Sequence, residues 1–233
     1  MRKGDGVIRR IAGVVVRPRA TLVEVASRPA WVATWGFILI AWTLCGGWLL
    51  ASDIGRQALI DERVRVVETF GGTVSDAQYQ ALQSNPPYWV YLTSGNRALL
   101  LPLTTLAVAV AVWLVANGDG GAATFSQALA LVVHASVVLL IGQLLATPLH
   151  YVRESLTSPL NLTAVLPFME EGTFRARMFG AVDLFALWWA VLLAMSLSIL
   201  TRRRVGRYLL AITVAFLGFG GVVAALIAAS GGS

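Results

Sequence analysis

The chain has 233 residues, 57% hydrophobic and only 13% charged, with a mean hydropathy of +0.73, whereas soluble domains hold about 45–50% apolar and about 25% charged residues; a water-soluble enzyme fold is excluded. The formal charge of +6 and pI of about 10.2 would suggest nucleic acid as the partner of a soluble protein, but here the basic residues fall in short stretches between apolar runs, so no nucleic-acid partner is expected. A single cysteine, Cys45, excludes an intramolecular disulfide and any cysteine-based metal cluster.

Residues 1–30 form a cytoplasmic segment. The run Ile11 to Val16 is too short for a signal-peptide core, so the first span is expected to remain as an anchor. Thr21 and Glu24 stand at capping-box spacing, which predicts a short helix with Leu22, Val25 and Ala26 on one side and Pro29 at its end. With Ile8, Ile11 and the nearby Arg9, Arg10, Arg17 and Arg19 it has the pattern of a cationic amphipathic segment on the inner leaflet.

Residues 31–233 hold five apolar stretches near the length of about 20 residues that a membrane helix needs. They are 31–51, 98–116, 125–146, 179–200 and 208–229. The expected fold is therefore an all-α integral membrane bundle of five transmembrane helices. Gly46 and Gly47 in the first stretch, and Gly218 and Gly221 in the last, are candidate sites of close helix packing or self-association.

Arginine and lysine set the orientation because basic loops stay in the cytoplasm. Seven basic residues precede the first span, and Arg202, Arg203, Arg204 and Arg207 lie between the last two. Five spans put both segments inside. The amino terminus is then cytoplasmic and the carboxyl terminus outside.

The outer side carries residues 52–97 and 147–178. In the first, Ser75 and Gln78 form a capping box for a helix that ends at Asn85, Pro86 and Pro87, and the charges from Asp61 to Glu68 predict another helix before it. Tyr88, Trp89 and Tyr91 form an aromatic belt. In the second, Pro159 to Pro167 is apolar but too short to span, which predicts an interfacial or re-entrant piece.

Ionisable groups inside a bilayer are functional candidates. His134 falls about nine residues into the third span and Asp183 about four into the fourth, so at about 1.5 Å per residue their depths differ by about 10 Å and a direct pair is disfavoured. Gln143 falls near the level of Asp183. Asp183 is expected to contact Gln143, a backbone amide or Arg177, and His134 to hydrogen-bond as a neutral imidazole between helices. If instead the chain transports a solute, the three would line a polar path.

Enzyme patterns fail on inspection. His150 and Glu154 are four apart without HExxH, no GxSxG is present, and Gly118 to Gly121 is a turn with no GK[ST] after it. The adjacent Glu170 and Glu171 make a poor acid–base pair and are expected to cap the approach to the fourth span. No metal site or cofactor is expected.

Three segments carry a resemblance. Val182 to Arg204, VDLFALWWAVLLAMSLSILTRRR, resembles the region of the Yip1 family in which an aspartate and a phenylalanine precede a tryptophan-containing helix ending in a basic turn. Arg17 to Trp31 is similar to the proline-flanked amino-terminal segment of bacterial members, and Ala123 to Leu140 to their third-span entry. The resemblance implies a five-span domain with a cytosolic amino terminus. Eukaryotic members act in early secretory traffic and associate with small GTPases and with one another. The aspartate-leucine-proline and glycine-tyrosine motifs of those proteins are not evident here, and Val137 stands where a proline is common, so GTPase binding is not carried over. The expected function is a non-enzymatic protein of a bacterial inner membrane that organises or binds lipids, other membrane proteins or copies of itself. The alternative is a transporter, channel or lipid-handling subunit.

Overall fold

The computed structural model describes residues 5–69, 71–84, 89–156, 160 and 183–229, and every regular element among them is a helix. Arg2, Lys3, Asn85 to Tyr88, the 159–167 segment apart from Leu160, Glu170, Glu171, Arg177 and positions 179–182 of the expected fourth span lie outside the described residues.

Two helices precede the first span, α1 (Asp5–Val16) and α2 (Pro18–Ser27). The predicted capping box at Thr21 is not formed. Pro18, whose fixed φ suits a first helical turn, starts α2 three residues earlier, and the Thr21 hydroxyl instead donates to Arg17 O at 3.0 Å. Gly13 lets the two helices close up, since a Cβ there would stand 2.4 Å from Thr21 Oγ1. Glu24 receives Arg9 at 2.6 Å and faces Arg10 at 3.5 Å.

Val14, Leu22 and Val25 are fully buried. The apolar side of this hairpin therefore packs against the chain's own bundle, where a segment lying on the leaflet would give it to lipid. Ile8 remains exposed.

Next come α3 (Val32–Ala51), the more polar helices α4 (Asp53–Thr69) and α5 (Asp76–Ser84), and α6 (Trp89–Gly118). Ser75 and Gln78 form the expected reciprocal cap of α5. The helix α6 starts nine residues before the expected span and takes in Trp89 and Tyr91. After a glycine turn, α7 (Phe125–Ala135) and α8 (Val137–Arg153) make one bent path. The bend falls at Ser136, whose hydroxyl bonds back to Val132 O at 2.9 Å, a contact that bends helices. Last come α9 (Leu184–Thr201) and α10 (Val205–Ala229).

Among the described residues, four helical stretches are long and apolar enough to cross a membrane: Val32–Ala51, Leu100–Gly118, Phe125–Arg153 and Leu184–Thr201. The helix α10 is a further apolar helix of 25 residues. In the third stretch 72% of the most apolar window is buried, against 17, 22 and 28% in the others. The α7–α8 path is thus the central post, with α3, α6 and α9 around it and α2 against α7. The outer faces stay apolar and uncovered, with Phe37, Ile40, Leu44 and Trp48 on α3 and Leu103, Val110 and Leu114 on α6.

Among the described residues, no atom stands within 4 Å of a Cβ built at Gly46, Gly47 or Gly218. The close approach occurs at Gly142, where a Cβ would meet the Phe185 ring atom Cγ at 2.8 Å. Replacing Gly142 by Leu is expected to destabilise the protein by about 1–3 kcal/mol, the cost of overpacking, whereas Gly46→Ala changes stability by at most about 1 kcal/mol, upward, from helix propensity. Thermal unfolding in detergent reads both. Equal losses would contradict the packing.

Candidate functional site

The three intramembrane polar residues occupy three separate settings. His134 is fully buried. Its Nδ1 lies 2.7 Å from Ala130 O and its Nε2 3.2 Å from Thr34 Oγ1. A carbonyl can only accept, so Nδ1 carries the proton and Nε2 accepts from the threonine hydroxyl. The neutral ring is thereby satisfied on both sides and joins α3 to α7 just before the bend at Ser136.

Gln143 lies on α8, where its Nε2 donates to Thr147 Oγ1 at 3.2 Å and the Thr147 hydroxyl donates to Gln143 O at 2.7 Å. It also lines a cleft of about 390 Å³ between α3, α6 and α8, whose other walls include Trp42, Gly46, Leu101, Thr104 and His150. Neither His134 nor Asp183 is among the cleft's lining residues. This cleft therefore does not join all three.

Asp183 does not sit inside the fourth span; it starts it. Its Oδ1 accepts from Phe185 N at 2.8 Å and Ala186 N at 3.1 Å, which makes it the N-cap of α9. The side chain thereby occupies two of the helix's otherwise free first amides. The expected backbone amide contact is made, while Arg177 lies outside the described residues, and the helix begins at Leu184 because the side chain of Asp183 already satisfies its first amides.

The basic residues gather at one end. Gln127 Nε2 reaches Ala26 O at 3.1 Å, tying α2 to the start of α7. A Cβ at Gly121 would stand 3.0 Å from Leu200 O, so the α6–α7 turn abuts the end of α9. Arg207 donates to Asp119 Oδ1 at 2.8 Å, and the Tyr208 hydroxyl donates to Asp119 Oδ2 at 2.7 Å and lies 2.8 Å from Thr201 Oγ1. Arg202, Arg203 and Arg204 are exposed on the α9–α10 turn, the first in the left-handed conformation at φ 59°. Arg9, Arg17 and Arg19 are exposed on α1 and at the N-terminal end of α2, while Arg10 is largely covered. Sequence reasoning missed Asp119. Its signal was a lone carboxylate in a turn assigned to the same side as four arginines.

Outside the spans, the Tyr79 hydroxyl donates to Asp61 Oδ1, which also accepts from Gln57 Nε2 at 2.9 Å. This bond to a carboxylate, helped by burial and by the charge of Asp61, raises the Tyr79 phenol above its ordinary 10.0. A raised folded-state value stabilises α4–α5 fully below the unfolded value, and that contribution is lost as pH climbs through the folded one. Absorbance titration of the wild type against Tyr79→Phe is expected to show this tyrosine ionising late, and Asp61→Asn to bring it back down. An unchanged midpoint in Asp61→Asn would refute the assignment.

Asp183→Ala is expected to cost about 0.5–2 kcal/mol in denaturant unfolding, with Asp183→Asn retaining most of the cap. A larger loss in the asparagine variant would show that charge, and not capping, matters.

Among the described residues no group of three or more metal-ligating side chains is found. A family model described as the Yip1 domain matches residues 12–227. No curated protein and no solved structure matches the chain.

Proposed function

The chain belongs to the Yip1 domain family, and on that premise we propose that it is a non-enzymatic five-span protein of a bacterial inner membrane that binds lipids and other membrane proteins. Its amino terminus and α9–α10 turn lie in the cytoplasm, and its carboxyl terminus lies outside.

The observation that carries this reading is a division of labour on the surface. Unpaired arginines crowd one end, at Arg17, Arg19 and Arg202 to Arg204, while apolar side chains stay uncovered along α3, α6 and α10, including Leu210, Val214 and Phe216. Basic ends are retained in the cytoplasm, and anionic headgroups attract such clusters at about 1 kcal/mol per residue. Lipid and partner helices are the surroundings that suit the apolar faces. The arginine-rich composition supports a bacterial source.

A solute-transporting reading draws on the cleft beside Gln143. A water-filled passage from that cleft to either membrane face would favour it.

The orientation is testable with single cysteines in a Cys45→Ala background. Ser75→Cys is expected to react with a membrane-impermeant maleimide in intact cells, and Arg203→Cys only after permeabilisation. The opposite pattern would invert the topology. For function, copurification from native membranes is expected to recover stable lipid or protein partners, and recovery of neither would overturn the binding role.

A further inference from the structure

We infer that the cleft between α3, α6 and α8 is a binding site for one neutral membrane lipid, with an aliphatic chain on its apolar wall and a hydroxyl group donating to the Gln143 carboxamide oxygen. The inference deepens the lipid-binding reading above and rests on it.

The cleft's size, about 390 Å³, lies within the range of about 300–1,000 Å³ typical of small-molecule sites, and like them it is mainly apolar with few polar groups. Gly46 keeps it open. A side chain there would find no atom within 4 Å of its Cβ, so the absence of one is what leaves the space between Trp42 and Leu101.

The rim decides where the occupant comes from. Leu100, which lines the cleft, is more than half exposed, as are Leu44 and Trp48 on α3 and Leu103 on α6, the same two helices. These are lipid-facing positions, so an entering molecule partitions from the bilayer. Among the described residues that line the cleft none is Asp, Glu, Lys or Arg and the one titratable group is His150, so an ionised head placed against them would meet no fixed countercharge at high desolvation cost.

The polar wall decides what the head must offer. Gln143 Nε2 is held by Thr147, which orients the amide and leaves its carboxamide oxygen without a bond among the described residues. The Thr104 hydroxyl already donates to Leu100 O and Leu101 O at 2.9 and 3.0 Å, so it faces the ligand as an acceptor. A hydroxyl donor matches this wall, as in the free hydroxyl of a diacylglycerol.

The test uses the full chain in phosphatidylcholine nanodiscs containing a photoactivatable diacylglycerol, with labelled peptides mapped by mass spectrometry. Labelling is expected to concentrate on α3 around Gly46 and α6 around Leu101. Gly46→Phe should abolish that focus by filling the space. Gln143→Leu, which keeps the volume and serves if the phenylalanine variant fails to fold, should weaken it about threefold to tenfold, the effect of one lost hydrogen bond. Labelling spread along every lipid-facing helix, or unchanged in Gln143→Leu, would overturn the cleft assignment. Lipid that copurifies equally with wild type and Gly46→Phe would leave the wider lipid-binding role standing and sink this site alone.

Discussion

The architecture depends on one apolar helix being surrounded on every side while carrying an imidazole. From Ala128 to Ala135 each residue of α7 is buried, and in hydrocarbon or a dry core an unpartnered polar group costs several kcal/mol. His134 is tolerated because Ala130 O and Thr34 Oγ1 complete its two hydrogen bonds. That requirement fixes the register of α3 against α7. The bend at Ser136 follows directly after, and α8 then leaves the axis, packing against α3 and α4.

The arginine-rich end is organised by a second constraint, the need to hold many arginines near apolar helix ends. Two carboxylates do this, Glu24 toward Arg9 and Arg10, and Asp119 toward Arg207. The partners of exposed pairs contribute little energy, a median of about 0–1 kcal/mol. Their use is geometric. Asp119 stitches the α6–α7 turn to α10 through both Arg207 and Tyr208, and among the described residues Arg202 to Arg204 form no such pair and stay exposed.

Much of the fold was legible in the residues themselves. Hydropathy located the apolar stretches because length and composition of a span are set by bilayer thickness, and Ser75 with Gln78 announced α5 because capping is local. Local rules also misled. Thr21 and Glu24 carry the right spacing, yet Pro18 already starts the helix. The hydropathy window took positions 179–200 as one span, whereas Asp183 is an N-cap, a signal that stood in the sequence as an aspartate directly before an apolar run. The contact between Thr34 and His134 joins residues 100 apart, and nothing local records it. Gly142 was indistinguishable from Gly46 by pattern, because only the packed neighbour, Phe185, separates a tight crossing from an open cleft.

The central claim is that the His134–Thr34 hydrogen bond couples the first apolar helix to the buried post. A double-mutant cycle with Thr34→Val and His134→Phe, read by unfolding in lipid nanodiscs, measures it most directly. The account predicts a favourable coupling of about 0.6 kcal/mol, up to about 1.7 kcal/mol, the range of interhelical hydrogen bonds in membranes. Strictly additive losses in the two single variants would contradict it.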